Sequence, residues 1–289
     1  MWHAAPVATI RSWLYVPGDR PERIAKAVAL RDDRRPDAVI LDLEDAVAPS
    51  AKPAARAAVA DALAGWADDA PPAWVRVNAG PELCRADVEA VAGSRPAGIV
   101  LPKATAASLG HLDELLARHE PAPLPVVALI ESAQGLLDAP ELARRPRVRN
   151  LALGEVDLAA DLGLTRPDAA TLLPLRLQVV VAAAAAGAPA PTGPVSTAVR
   201  DLDGLAASSA ELRRLGFGGR SAIHPDQVPI VHAAFRPTPE EVAQATRLVA
   251  AYDDALARGD GVVVDEDGRM VDEAVVRRAR ALIGVSDDG

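Results

Sequence analysis

The sequence has one cysteine, Cys84, so no intramolecular disulfide can close. A chain of 289 residues with one thiol fits a reducing compartment, and the cytoplasm is the expected location. No stretch approaches the roughly 20 apolar residues that span a bilayer. The opening residues, Met1 to Arg11, lack the long apolar run of a signal peptide. The Ala-rich run Val179–Ala186 is short and reads as a buried helix. Basic residues do not dominate: 31 Lys and Arg face 40 Asp and Glu, a net charge of −9. That balance argues against nucleic acid or an anionic membrane as the main partner, because both need a basic face, while 31 Arg and Lys leave room for a local basic pocket. Lysine is scarce, with only Lys26, Lys52 and Lys103, while arginine is abundant. No Ser/His/Asp constellation suggests a nucleophile. Cys84 lies in a polar helical stretch with no evident base partner.

What is present is an alternation. Short apolar runs suited to strands buried on both faces occur at Trp13–Val16, Ala38–Leu43, Trp74–Val77, Gly98–Leu101, Val126–Ile130, Leu151–Leu153, weakly near Pro189–Val195, and at Ser221–Ile223. Helical patterns separate them at Pro21–Leu30, Lys52–Trp66, Thr105–Arg118, Ala133–Arg144, Asp168–Gly187 and Asp201–Leu215. Pro21 and Pro53 suit first turns, and Gly187 a helix end. Eight strands with intervening helices predict an α/β fold, a (β/α)8 TIM barrel over residues 11–236. An open doubly wound sheet is the rival architecture, weakened because no Gly-rich fingerprint follows the first strand. Residues 237–289 form a C-terminal helical extension, read as a lid or an oligomer arm.

The active site of a TIM barrel lies at the C-terminal ends of its strands. Reading the polar residue after each apolar run gives Arg20, Asp42, Glu44, Asp45, Arg76, Asn78, Lys103, Glu131, Glu155, Asp157 and His224. So many acids at one mouth would repel each other, and a divalent cation would relieve them. Oxygen donors without a Cys/His cluster point to magnesium or manganese. Glu131 and Asp157 are the candidate ligands, although an acid at Glu131 also suits the start of the next helix. Arg76 suits a substrate carboxylate or an ion pair with Glu44 or Asp45. Asp42 and Glu44 share one strand face, and Asp42 reads more simply as a bridge to neighbouring strands. Lys103 allows a Schiff base or, more plainly, a salt bridge to the acids. His224 reads as structural.

These segments resemble the HpcH/HpaI aldolase and citrate lyase family, in particular its citrate lyase beta subunit-like and malyl-CoA lyase-like members. The resemblance spans about residues 11 to 283. It rests on Leu14-Tyr15-Val16-Pro17-Gly18-Asp19-Arg20-Pro21, Ile40-Leu41-Asp42-Leu43-Glu44-Asp45-Ala46-Val47, Val75-Arg76-Val77-Asn78 and Gly98-Ile99-Val100-Leu101-Pro102-Lys103. It continues through Ala128-Leu129-Ile130-Glu131-Ser132, Gly154 to Gly163, Ala222-Ile223-His224-Pro225 and Gly268-Arg269-Met270-Val271-Asp272. The resemblance implies Mg2+ held at Glu131 and Asp157, and Arg76 on the substrate carboxylate. It implies Tyr15, Arg20 and Lys26 near coenzyme A, and a homotrimer or hexamer. It also implies a catalytic acid/base at Asp272, supplied by a neighbouring subunit's tail; on the sequence alone Asp272 reads as a helix cap. One departure is Val156-Asp157 where the family commonly has Glu-Asp, with Glu155 displaced by one; another is the segment Pro189–Arg200. The implied function is a Mg2+-dependent carbon–carbon lyase acting on a hydroxyacyl-CoA such as malyl-, citramalyl- or citryl-CoA. The alternatives are a 2-oxo-acid aldolase on free substrates and a CoA-thioester-binding subunit inactive alone.

Overall fold

A computed structural model describes residues 10–119, 124–265 and 268–287. The segment before Ile10, read above for a signal peptide, lies outside the described residues. The chain divides into two compact units, Ile10–Ala234 and a second that runs from Phe235 onward.

In the first unit eight parallel strands close in sequence order: β1 (Ser12–Pro17), β2 (Ala38–Asp42), β3 (Ala73–Arg76), β4 (Gly98–Leu101), β5 (Val126–Ile130), β6 (Val148–Leu153), β7 (Thr192–Gly193) and β8 (Gly219–Ala222). Around them run α1 (Pro21–Val28), α2 (Lys52–Ala64), α3 (Pro81–Val91), α4 (Ala106–His119), α5 (Ala133–Leu142), α6 (Glu155–Asp161), α7 (Ala169–Ala186), α8 (Leu202–Leu215) and α9 (Val228–Phe235). This is the (β/α)8 barrel that the alternation predicts. The weak seventh strand is the shortest, pairing through Thr192 and Gly193 only.

Side chains alternate along a strand, so one residue in two faces the barrel axis. Trp13, Ala38, Ile40, Trp74, Val100, Val127, Leu129 and Ala152 form the axial plug. Trp13 and Trp74 meet edge to face at 5.3 Å between centroids, a favoured aromatic geometry. Gly98 makes this possible, since a Cβ there would run into the Trp74 ring. The next inward position on each strand, toward its C-terminal end, is Tyr15, Asp42, Arg76, Glu131 or Gly154. Apolar floor and polar mouth are thus one face of the same strands.

Helices α6 and α9 escape the sequence reading, and α3 is read there only as a polar helical stretch around Cys84, without bounds. In α3 the polar stretch is amphipathic and turns Cys84 inward, where burial and the nearby Asp87 push its thiol up to about 11. α6 begins directly after β6 and carries Glu155 and Asp157 in its first turn. The run Val179–Ala186 belongs to α7, but only part of it is buried: Val179, Ala182 and Ala183 are covered and Val181 is exposed. By length and composition α7 is also apolar enough to cross a membrane. Its Arg176 is nevertheless buried and paired with Glu155 and Glu211, as suits a helix packed on the barrel.

In the second unit α10 (Pro239–Ala257) opens with a full capping box, Thr238 with Glu241. A two-stranded antiparallel ribbon of β9 (Val263–Val264) and β10 (Met270–Val271) leads into α11 (Glu273–Asp287). Tyr252, Val271 and Val276 form a small core of their own.

Candidate active site

The mouth of the barrel opens into a cavity of about 440 Å³. Tyr15, Asp42, Asp45, Arg76, Glu131, Glu155 and Asp157 line it, and so does Arg23, which the sequence reading did not single out. Glu44 and Lys103 do not line it, but each touches a residue that does, Arg76 and Glu131 respectively. The strand-end rule therefore gathers the predicted acids at one place.

Arg76 is the centre of the β2–β3 side. Its Nε and Nη2 donate to the two carboxylate oxygens of Asp42 at 2.7 and 2.6 Å. Its Nη1 lies 3.0 Å from Glu44 Oε2 and 3.8 Å from Asp45. Its guanidinium stacks over Tyr15 at 4.9 Å. Burial disfavours its charge, but the Asp42 hydrogen bonds outweigh that and hold it firmly protonated. The ion pair foreseen with Glu44 and Asp45 exists, yet Asp42 is the bidentate partner. Asp42 also accepts from the backbone N–H groups of Glu44 and Ala46. Lys52, buried, donates to the carbonyls of Leu43 and Glu44, and so fixes the turn after β2. Burial pushes the Tyr15 hydroxyl well above its usual range.

The β5–β6 side is different. Glu131 is 3% exposed. Its Oε1 accepts from the Lys103 backbone N–H at 2.8 Å, and Lys103 holds φ 45° to present it, in the left-handed region. Helix capping is done by the next residue, Ser132, which accepts from Gly135 N. Burial, then the charges of Glu44 and Asp157, raise the Glu131 carboxyl to about 8. Gly154 leaves room beside it, since a Cβ there would come within 2.6 Å of Glu131 Oε2. Asp157 reaches the cavity from α6, whose first residue Glu155 is clamped by Arg176 through both carboxylate oxygens. The displaced acid beside Val156 is thus held by the scaffold, and Val156 itself lies open in the cavity.

Two carboxylates with only oxygen donors suit a hard divalent cation. Among the described residues no group of three or more His, Cys, Asp or Glu forms a complete cage. Such a pair leaves coordination positions for water and a ligand. The cavity that Glu131, Gly154 and Asp157 line together and the raised Glu131 carboxyl fit a cation that would complete this charge set.

Lys103 Nζ lies 3.3 Å from Glu44 Oε1. Burial lowers its pKa, but Glu44 more than offsets this, so the amine stays protonated and unsuited to a Schiff base. His224 accepts from Asp226 N and caps the short turn at 225–227, a structural role.

A second cavity of about 360 Å³ adjoins the first and shares Tyr15, Pro17, Arg23 and Ile223 with it. Lys26 lines this outer groove. Arg20 is exposed, with its Nε 3.6 Å from Asp19, and lines neither cavity. Arg23, one turn into α1, borders both. The signal for it was available: an Arg three residues before Lys26 shares its helix face. In the other unit Asp272 caps α11, accepting from the N–H groups of Ala274 and Val275.

Similarity to known proteins agrees with this geometry. Residues 11–225 match the model of the HpcH/HpaI aldolase/citrate lyase family. A (3S)-malyl-CoA thioesterase of Cereibacter sphaeroides is 38% identical over 280 residues, covering 96% of this chain and 94% of the relative. A citrate lyase subunit beta-like protein of Mycobacterium tuberculosis is 37% identical over 278 residues, covering 94% and 93%. The crystal structure of CitE from M. tuberculosis in complex with magnesium, acetoacetate and coenzyme A superposes with a TM-score of 0.81 at 35% identity, over 97% of this chain and 99% of that one. The chain belongs to the HpcH/HpaI aldolase/citrate lyase family.

Proposed function

We propose that the protein is a cytoplasmic Mg2+-dependent lyase that cleaves or forms the carbon–carbon bond of a hydroxyacyl-CoA, giving a 2-oxo acid and a shorter acyl-CoA. The observation that carries this is Glu131: a buried carboxyl that lines the mouth cavity together with Asp157, packed against Gly154 and raised to about 8. Glu131 and Asp157 would hold the metal, Mg2+ or Mn2+, which when bound supplies charge stabilisation for oxygen developing negative charge. Arg76, locked by Asp42, presents its remaining N–H groups to the substrate carboxylate. Tyr15 floors the site against that guanidinium. Asp42, Glu44, Asp45 and Lys103 hold Arg76 and the loops in place. Arg23 and Lys26, with Arg20 at the rim, set positive charge along the outer groove for the phosphates of coenzyme A.

In the cleavage direction the carbinol proton leaves to a cavity carboxylate and the hydroxyl oxygen becomes the oxo oxygen. The electron pair of the broken bond passes to the thioester α-carbon. Asp272 of a neighbouring subunit protonates that carbon. A homotrimer or hexamer is part of this reading. Leu173, Leu177 and Val181 form an exposed apolar stripe on α7 that a second copy would cover.

A second reading comes from the thioesterase relative: water attacks the thioester carbonyl and coenzyme A leaves as the thiol. One assay separates the two. Purified chain with Mg2+ and malyl-, citramalyl- or citryl-CoA should release a 2-oxo acid without free thiol. Thiol without oxo acid supports hydrolysis. If chelation leaves turnover intact, or only free hydroxy-oxo acids are cleaved, the lyase reading falls. Asp272 is tested by a pair of variants. Asp272→Asn keeps a good helix cap and removes the acid, so the rate should drop roughly 10²–10⁴-fold with little change in melting temperature. Asp272→Ala should lose rate equally and about 1 kcal/mol of stability besides. A fully active Asp272→Asn protein would leave the residue as a cap alone.

A further inference from the structure

Helix α6 carries Asp157 to the mouth, but by itself it is a poor anchor. Its seven residues make about two turns, too few to hold without tertiary contacts. The residue before it, Gly154, has no side chain with which to cap it. A Cβ there would come within 2.6 Å of Glu131 Oε2 and 2.8 Å of Glu131 Cβ, so the place is kept for glycine. The closeness of Glu131 to α6 thus denies the helix its usual N-terminal tie.

The tie is made one residue later, from the side. Arg176 of α7 donates through Nε and Nη2 to the two carboxylate oxygens of Glu155, at 2.5 and 3.2 Å. Its Nη1 donates to Glu211 of α8 at 3.2 Å. Arg176 is buried in a mostly apolar helix. Burial opposes its charge, but Glu155 and then Glu211 more than offset that. At the other end of α6, Asp161 accepts from the Ala133 N–H at 2.7 Å. A buried pair of this kind adds little stability over apolar packing of the same volume. Its contribution is geometric. Residues two apart on a helix point about 200° apart around the axis. Glu155 is drawn toward α7, on the side of the buried Leu158 and Ala159. Asp157 is thereby turned the opposite way, and it lines the cavity with Glu131. Arg176 itself does not line that cavity.

We propose that Arg176 is a positioning residue for the metal pair: by clamping Glu155 it fixes the rotation of α6 and aims Asp157 at the cavity, without touching metal or substrate. This rests on Glu131 and Asp157 as the metal ligands and adds the part that orients one of them. Without Arg176 the helix loses its tie near the N-terminus. The Glu155 carboxylate, which borders the same cavity, then becomes a third acid with no fixed direction.

The test is calorimetric Mg2+ binding to the full chain, which needs no turnover, with thermal melts on the same samples. Removing a partner that orients a metal ligand weakens the metal about 10–100-fold, and Arg176→Gln should do so. Arg176→Lys keeps the charge but loses the two-point grip, so it should weaken Mg2+ at least about threefold. Adding Glu155→Gln to Arg176→Gln should cost nothing more, because the link is already broken. An effect of charge through space has other signs. Loss of a nearby cation in Arg176→Gln would tighten Mg2+, Arg176→Lys would bind like wild type, and the added Glu155→Gln would weaken binding. A purely structural arginine would lower the melting temperature and leave Mg2+ affinity unchanged. Either pattern overturns the proposal. Arg176→Lys preserves the buried charge balance and decides the matter if Arg176→Gln does not fold. Wild-type protein that binds no Mg2+ brings down the metal reading and the proposal with it. Mg2+ bound equally by wild type and Arg176→Lys leaves the metal reading standing and removes the clamp alone.

Discussion

The two sides of the mouth treat buried charge in opposite ways. Between β2 and β3, Asp42, Glu44 and Arg76 neutralise one another, and Lys52 ties down the loop behind them. Between β5 and β6, Glu131 is as deeply buried but has acids for neighbours, and its pKa climbs. The first side is largely paired within the protein, although burial still lifts the Glu44 carboxyl above its usual value. The second has a charge pattern that a ligand must finish. Buried ion pairs alone therefore do not mark a site; a buried acid facing other acids is the stronger sign.

The largest effect should come from the incomplete side. Glu131→Gln removes the charge and keeps the shape. Mg2+-dependent turnover should fall on the order of 10³-fold or more, as when a main source of charge stabilisation is lost. Calorimetric Mg2+ binding should vanish while circular dichroism stays native. Normal turnover at low Mg2+ would mean that the deficit at Glu131 is not a metal site.

A smaller effect is expected on the paired side, and it should appear in stability as well as rate. Arg76→Lys keeps the charge but not the fork that meets both Asp42 oxygens. Breaking a buried pair costs about 3 kcal/mol, and kcat/KM should fall roughly 10²-fold. Urea melts and steady-state kinetics read both. Loss of rate with unchanged stability would show that the Asp42 pair is not what holds the arginine.

How much of this was legible follows from what each feature depends on. The strands at Gly98–Leu101 and Val126–Ile130 were exact from their apolar runs, because a strand covered on both faces has no other composition. The mouth residues followed from the strand ends. The partner of Arg76 did not. Asp42 and Arg76 are 34 residues apart, and only the register Asp42↔Arg76 puts them side by side. α6 was missed because seven residues starting directly at a strand end give too little periodicity to read. Arg23 was passed over in favour of Arg20, which stands nearer the strand but points to its own neighbour, Asp19. For Asp272 both readings remain chemically compatible, since a carboxylate that caps a helix keeps a second oxygen.

The smallest effect concerns pH, and it turns the comparison into a measurement without any substrate. In the folded chain Glu131 titrates near 8 against an ordinary value of 4.5, first because it is buried and next because Glu44 is close. Between those values the native state keeps a proton that the unfolded state has released. Stability of the metal-free protein should therefore decline as pH rises through that window. Added Mg2+ favours the ionised carboxylate, so the stabilisation it gives should grow over the same range. Each pH unit inside the window costs about 1.4 kcal/mol, a few degrees of melting temperature in a chain of this size. Melts of wild type and Glu131→Gln, with and without Mg2+, isolate the group from every other titration. The variant should lack both the decline and the Mg2+ response. An Arg76→Lys protein should retain both, because it keeps the positive charge that acts on Glu131. If Glu131→Gln keeps the wild-type pH slope, the proton is on another residue, and the contrast between the two sides of the mouth loses its physical basis.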